Sequence, residues 1–171
     1  MRTEAGIAIT CFALFLGSAS NAFGQKSATA NASATIIQGL TMTRTNNLRF
    51  GALIPSILGG TVTVSPTGTR SATGTLILLT STSTPFSAAS FTMVGQPSLS
   101  YSIVLPTSVT LTRQGGSDTL LLNNFTSNPS ATGTLSASGT GTLLIGGSIA
   151  IPASQAAGYY LGSFTVTLTY Q

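Results

Sequence analysis

Side chains that can titrate near neutrality, attack as nucleophiles or hold a metal are almost absent from this chain. Its 171 residues include no histidine, one cysteine (Cys11), two carboxylates (Glu4 and Asp118), one lysine (Lys26) and five arginines (Arg2, Arg44, Arg49, Arg70 and Arg113). General acid–base catalysis draws on a histidine or a pair of carboxylates, and a nucleophilic serine needs a base within reach. Asp118 stands alone, and Lys26 lies far from the body of the sequence. Zinc takes His and Cys ligands and calcium takes several carboxylates, so Asp118 with Asn123 and Asn124 makes a poor site. The composition therefore predicts a non-enzymatic protein with no catalytic residue, no metal site and no cofactor. Asp118 reads as a turn residue beside Gly115 and Gly116. Arg44, Arg49, Arg70 and Arg113 read as solvated strand ends, with a shared anion site as the alternative. Tyr159 and Tyr160 offer either core packing or a stacking surface for sugars. The net charge of +4 is spread so that no two cations adjoin. A nucleic-acid partner, which requires a clustered basic face, is not expected.

Export is written into the start of the chain. Arg2 supplies a basic residue, residues 6–16 (GIAITCFALFL) are uncharged and mostly apolar, and small residues follow at Gly17, Ser18, Ala19 and Ser20. This pattern predicts a secretory signal peptide over residues 1–24, cleaved after Gly24 or, alternatively, after Ser20. The apolar run is too short to span a bilayer, and stable membrane insertion is not expected. Localisation follows as periplasm, cell surface or extracellular space. Cys11 and Glu4 leave with the leader, so the mature domain has no disulfide and depends on its core.

The remaining elements are strands. From Ser163 onward polar and apolar residues alternate, placing Phe164, Val166, Leu168 and Tyr170 on one face and Ser163, Thr165, Thr167 and Thr169 on the other. Residues 25–38 (QKSATANASATIIQ) alternate too, with Ala28, Ala30, Ala32, Ala34 and Ile36 on one parity. Such a segment fits a narrow groove as a strand, or leads as a frayed terminus into the domain's own first strand. Between them, Gly, Pro, Asn and Ser punctuate short β-branched runs. Residues 114–118 (QGGSD) mark a hairpin loop, Gly146 with Gly147 reads as a tight turn, and residues 75–80 (TLILLT) read as a strand in a sheet centre. A change of parity near Ala89 and Ser90 predicts a bulge. No segment of eleven residues carries helical spacing. About 8–12 short strands over residues 39–171 predict an all-β antiparallel β-sandwich, with threonine hydroxyls covering its outer faces.

Several stretches together resemble a known group. They are Leu48-Arg49-Phe50-Gly51, Gly60-Thr61-Val62-Thr63-Val64, Tyr101-Ser102-Ile103-Val104-Leu105-Pro106, and Ala157-Gly158-Tyr159 followed by Phe164-Thr165-Val166-Thr167-Leu168-Thr169-Tyr170. The likeness is to an exported bacterial family known only as a domain of unknown function. The ending is also similar to that of spore-coat-U-like subunits of archaic chaperone-usher pili, although their usual cysteine pair is absent here. That resemblance implies an incomplete immunoglobulin-like sandwich completed by the N-terminal strand of a neighbour. It makes Ala28, Ala30, Ala32, Ala34 and Ile36 the assembly strand and Phe164, Val166, Leu168 and Tyr170 the groove-lining terminal strand. The implied partners are further copies of the chain, as a homopolymer, and a periplasmic chaperone. The expected function is a secreted structural or surface subunit of a fimbria-like assembly. A monomeric secreted module that binds a glycan or cell surface is the alternative, and a small outer-membrane β-barrel the lesser one. Against the barrel stands an aromatic content of only 7%.

Overall fold

Alternation of small polar and apolar side chains leaves this chain one economical way to bury a core, which is to pair extended segments and turn their apolar faces inward. The computed structural model describes residues 24–171, so the predicted leader, apart from Gly24, lies outside the described residues. In chain order the strands are β1 (Thr41–Asn46), β2 (Arg49–Phe50), β3 (Leu53–Ile54), β4 (Gly60–Val64), β5 (Arg70–Gly74), β6 (Ile77–Leu78), β7 (Phe86–Ser87) and β8 (Ala89–Val94). There follow β9 (Ser100–Val104), β10 (Ser108–Arg113), β11 (Thr119–Asn128), β12 (Thr132–Thr134), β13 (Thr140–Ile151), β14 (Tyr160–Leu161) and β15 (Thr167–Tyr170). Five of these are two-residue bridges, and no helix occurs among the described residues. Every ladder is antiparallel, as an all-β sandwich requires.

The spine is β13. Along one edge it pairs with β11, from Ala150 opposite Leu121 to Leu144 opposite Asn128. Its other edge is shared: Thr140 to Ile145 pair with β8, and Gly147 to Ile151 pair with β4. The large sheet thus runs β1-β8-β13-β11-β10-β14, with β4 and β5 beside the second half of β13. A three-stranded sheet, β12-β9-β15, lies apart from it in the hydrogen-bonding pattern.

Two cores result. At one end Ala89, Met93, Tyr101, Ile103, Leu135, Leu143, Ile145 and Val166 form a cluster drawn from both sheets. At the other, Val62, Leu120, Leu122, Ile149 and Ile151 form a second cluster, drawn from the large sheet alone and roofed by partly buried residues such as Leu48, Phe50, Leu53 and Phe164. We call these the closed half and the open half.

Three expectations change. Gly146 and Gly147 are not a turn but lie mid-strand, where β13 passes from β8 to β4. A Cβ on Gly146 would collide with the Val64 carbonyl oxygen, so the glycine is there for close approach of backbones rather than for bending. Residues 75–80 do not enter a sheet centre: only Ile77 and Leu78 pair, with Ile54 and Leu53, and Ile77 and Leu79 are exposed. Gly74, at φ +78°, ends β5 just before this run. The final alternation keeps its two faces, with Val166 buried and Thr165, Thr167 and Thr169 exposed, but only its last four residues join a ladder. The predicted parity change falls in the gap between β7 and β8, but the bulge is on the neighbouring strand: Thr45 of β1 is the extra residue between Arg44, opposite Phe91, and Asn46, opposite Ser90, while β8 keeps unbroken register with β13.

Residues 24–40 carry no strand. Ala28, Ala30, Ala32 and Ala34 are exposed, and Ile36 is 96% exposed.

Candidate functional site

The roof of the open half does not close. A trench of about 950 Å³ lies over the inner face of the large sheet, floored by Leu111, Leu120, Leu122, Ile149 and Ile151. One wall is formed by residues 44–55, and the other by residues 155–164. In a completed sandwich this strip of apolar side chains would be covered by a strand from the facing sheet. Here β15 ends that sheet: among the described residues it pairs with β9 on one edge and with no strand on the other.

The far wall is fixed to the large sheet. Tyr160 and Leu161 pair with Arg113 and Thr112, and Gln114 N–H donates to the Tyr159 carbonyl at 2.8 Å. The Tyr160 hydroxyl donates to Ala156 O at 2.7 Å and accepts from Gln155 Nε2 at 2.7 Å. Adjacent tyrosines separate as a strand requires: Tyr160 packs on the core, while Tyr159 is 66% exposed at the lip. Arg113 secures the hairpin below. Its Nε and Nη2 both lie 2.6 Å from Asp118 Oδ2, and its aliphatic stem runs against Gly158, where a Cβ would intrude.

The near wall is held differently. Residues 49–58 and 75–87 form a small lobe through the ladders β2–β7 and β3–β6. Arg70, on β5, reaches into it. Nη1 donates to the carbonyls of Phe50 at 2.9 Å and Ala52 at 3.3 Å, Nη2 donates to Leu79 O at 2.7 Å, and the guanidinium lies 4.5 Å from the Phe86 ring centroid. Planar guanidinium groups suit both the fork of carbonyls and the ring face. Arg44 and Arg49 line the trench as exposed cations.

Among the sequence-predicted groove residues, only Phe164 lines the trench, and its ring lies 5.0 Å from that of Phe125. Val166 is buried in the closed core, and Leu168 and Tyr170 pack on that core's edge. The Tyr170 hydroxyl accepts from Gln96 N–H at 2.7 Å and donates to Gln38 O at 3.2 Å, a clasp at the closed end. Asp118 sits in its predicted turn. Two of the four arginines expected as solvated strand ends instead latch trench walls, Arg70 to carbonyls and Arg113 to Asp118. The spacing of Arg113 and Asp118 across a Gly-Gly turn was a readable signal for the second; nothing local marks Arg70.

An all-β domain of paired antiparallel sheets, with a trench whose floor is apolar and whose lining carries arginines and no carboxylate, is the class the geometry defines. The chain belongs to the family described as a domain of unknown function (DUF4402), which it matches over residues 40–170. Comparison with curated proteins and with solved structures gives no match.

Proposed function

We propose that this chain is an exported structural subunit that assembles with its own kind by strand pairing, an extended segment of one copy lying in the trench and along β15 of the next. The observation that carries this reading is the far edge of β15, which pairs with no strand among the described residues and continues the chain that walls the trench. Added strands bind through backbone hydrogen bonds, and alternate side chains set register. Residues 28–36 suit the part, because Ala28, Ala30, Ala32, Ala34 and Ile36 are small or aliphatic on one face and exposed in the single chain. A free edge over an apolar strip also invites misassembly, and a periplasmic chaperone pairing with β15 would guard it before assembly.

Topology gives the assembly a direction. The chain descends from Tyr160, at the open end, to Tyr170, at the closed end, and the Tyr170 clasp fixes Gln38 at that same closed end. A chain folding its own residues 28–36 back from Gln38 would lay them parallel to β15. A neighbour's segment is free to run antiparallel, the arrangement with the better ladder. It then leaves at the open end toward its own closed end, so copies stack head to tail without closing.

Paired cysteines test this, since the described residues contain none. A Thr35→Cys/Leu161→Cys chain is expected to give a ladder of disulfide-linked oligomers. A Ser27→Cys/Leu161→Cys chain yielding a cross-linked monomer would overturn the proposal in favour of self-completion. Deleting residues 25–35 is expected to leave a folded subunit that no longer polymerises.

A further inference from the structure

A turn beside the trench holds two aliphatic side chains out in water. Ile57 is 83% exposed and Leu58 77%. Next to them Ile54 and Ile77 face each other across the β3–β6 ladder and are exposed too, while Leu53 and Leu78, the other pair of that ladder, pack on the open core. The turn is not loose. Ser56 O accepts from Gly59 N–H at 3.3 Å and from Ser154 N–H at 3.4 Å, and Ser56 Oγ accepts from Leu58 N–H at 3.3 Å and from Thr75 Oγ1 at 2.5 Å. Its backbone is tied inward, so its side chains are presented outward. Single exposed aliphatic residues are ordinary, but several adjoining ones on a fixed turn mark a contact surface.

Register places this turn at the open end. β4 begins at Gly60, which lies opposite Ile151, the last residue of β13, and Ala150 lies opposite Leu121, near the start of β11. The turn therefore stands beside the hairpin loop of residues 114–118, where Tyr160 pairs with Arg113. In the assembly argued above, this is the end at which a neighbour's strand leaves the trench.

The length of one short segment says what covers it. A neighbour's assembly strand finishes at Ile36, and its Gln38 is held at its own closed end, where the carbonyl accepts from the Tyr170 hydroxyl at 3.2 Å and the N–H donates to Gln96 Oε1 at 3.1 Å. Only Ile37 lies between. Two residues of extended chain reach about 7 Å at most, so the closed end of one copy must abut the open end of the next. That closed end is built from the turns of residues 95–99 and 136–139, which carry no charged side chain. Aliphatic groups pressed against it strip water from no ion. Ile37, half-exposed in the single chain, adds an apolar group at the junction itself. A lipid surface is less suited: residues 51–58 hold no cation to meet anionic headgroups, and Arg113, at the same end, is engaged with Asp118.

We infer that the turn of Ile57 and Leu58 is the body-to-body contact of the assembly, seated against the closed end of the next copy beside its Ile37. This rests on the strand-pairing reading and deepens it. The inserted strand supplies backbone pairing and direction; the turn fixes the angle at which successive bodies meet.

The test compares the full chain with Ile57→Ser/Leu58→Ser, with Ile37→Ser and with all three changes together. Assembly is followed by sedimentation, and strand pairing separately by binding of a labelled synthetic peptide of residues 25–36, which lacks Ile37. The Ile57→Ser/Leu58→Ser chain is expected to assemble on the order of a hundredfold more weakly, as two aliphatic side chains left without cover would give. Its melting temperature and its peptide binding are expected to match wild type. Ile37→Ser is expected to weaken assembly less, and the triple change no more than the double, because groups in one contact do not add. Undiminished assembly of Ile57→Ser/Leu58→Ser would overturn the inference, as would wild-type binding to anionic phospholipid vesicles that this variant loses while still assembling. Fully additive losses would overturn the placing of Ile37 against the turn. A wild-type chain that binds no peptide, yet whose assembly Ile57→Ser/Leu58→Ser still abolishes, would overturn the strand-pairing reading and leave the contact standing.

Discussion

The closed and open halves are built on the same strands and finish differently. In the closed half, Met93, Leu143 and Ile145 are fully buried because the second sheet of β9, β12 and β15 covers them, and Tyr101, contributed by β9, is 2% exposed. In the open half β11 and β13 continue with the same alternation, yet above Leu122 and Ile149 stand only two walls and a trench of about 950 Å³. The large sheet is therefore not weaker at one end; what differs is its cover, a second sheet over the closed half and partly buried wall and loop side chains over the open one.

Leucine truncation gives the largest separation between the halves. Leu143→Ala, with no space to collapse into, is expected to cost about 4 kcal/mol, and Leu122→Ala, bordering the trench, about 2 kcal/mol, both read from chemical denaturation. Equal costs would mean that the open half is packed as tightly as the closed one. A smaller effect belongs to the closed half alone. Burial raises the Tyr101 hydroxyl above its ordinary value of 10.0, so the fold favours the protonated form. Its contribution is complete below pH 10 and is lost as pH rises through the higher folded value, because the unfolded chain releases its proton first. Tyr101→Phe is expected to flatten that alkaline limb of stability. The smallest effect lies on the far wall: Asp118→Asn removes an ion pair whose side chains are 31% and 37% exposed, and should cost under about 1 kcal/mol, shrinking further at high salt.

Much of this was legible from alternation alone. In β13, Leu143, Ile145, Gly147, Ile149 and Ile151 share one parity without interruption, a sign of one continuous strand that the reading of Gly146 with Gly147 as a tight turn overrode. Composition misled there because glycine serves close backbone approach as well as bending. The pentapeptide Ser-Ala-Thr-Gly-Thr marks the limit of local reading. At residues 71–75 its glycine, Gly74, ends a strand at φ +78°, whereas at residues 130–134 the left-handed residue is Ala131, at φ +59°, and Gly133 lies inside β12. Tyr101 presses against Gly133, and Gly59 presses against Gly74; neighbours distant in sequence chose the conformation. The trench escaped sequence reading for the same reason. Its near wall comes from two-residue ladders and a single arginine, none of which carries a period.

The clasp between Tyr170 and Gln38 bears on mechanics. A pull transmitted along the segment before Gln38 enters β1 along its length, where Thr41 to Asn46 are stitched to β8. Loaded that way, the rungs must slide together instead of parting one after another, and a filament of such links would resist stretching far better than it resists being peeled from its side.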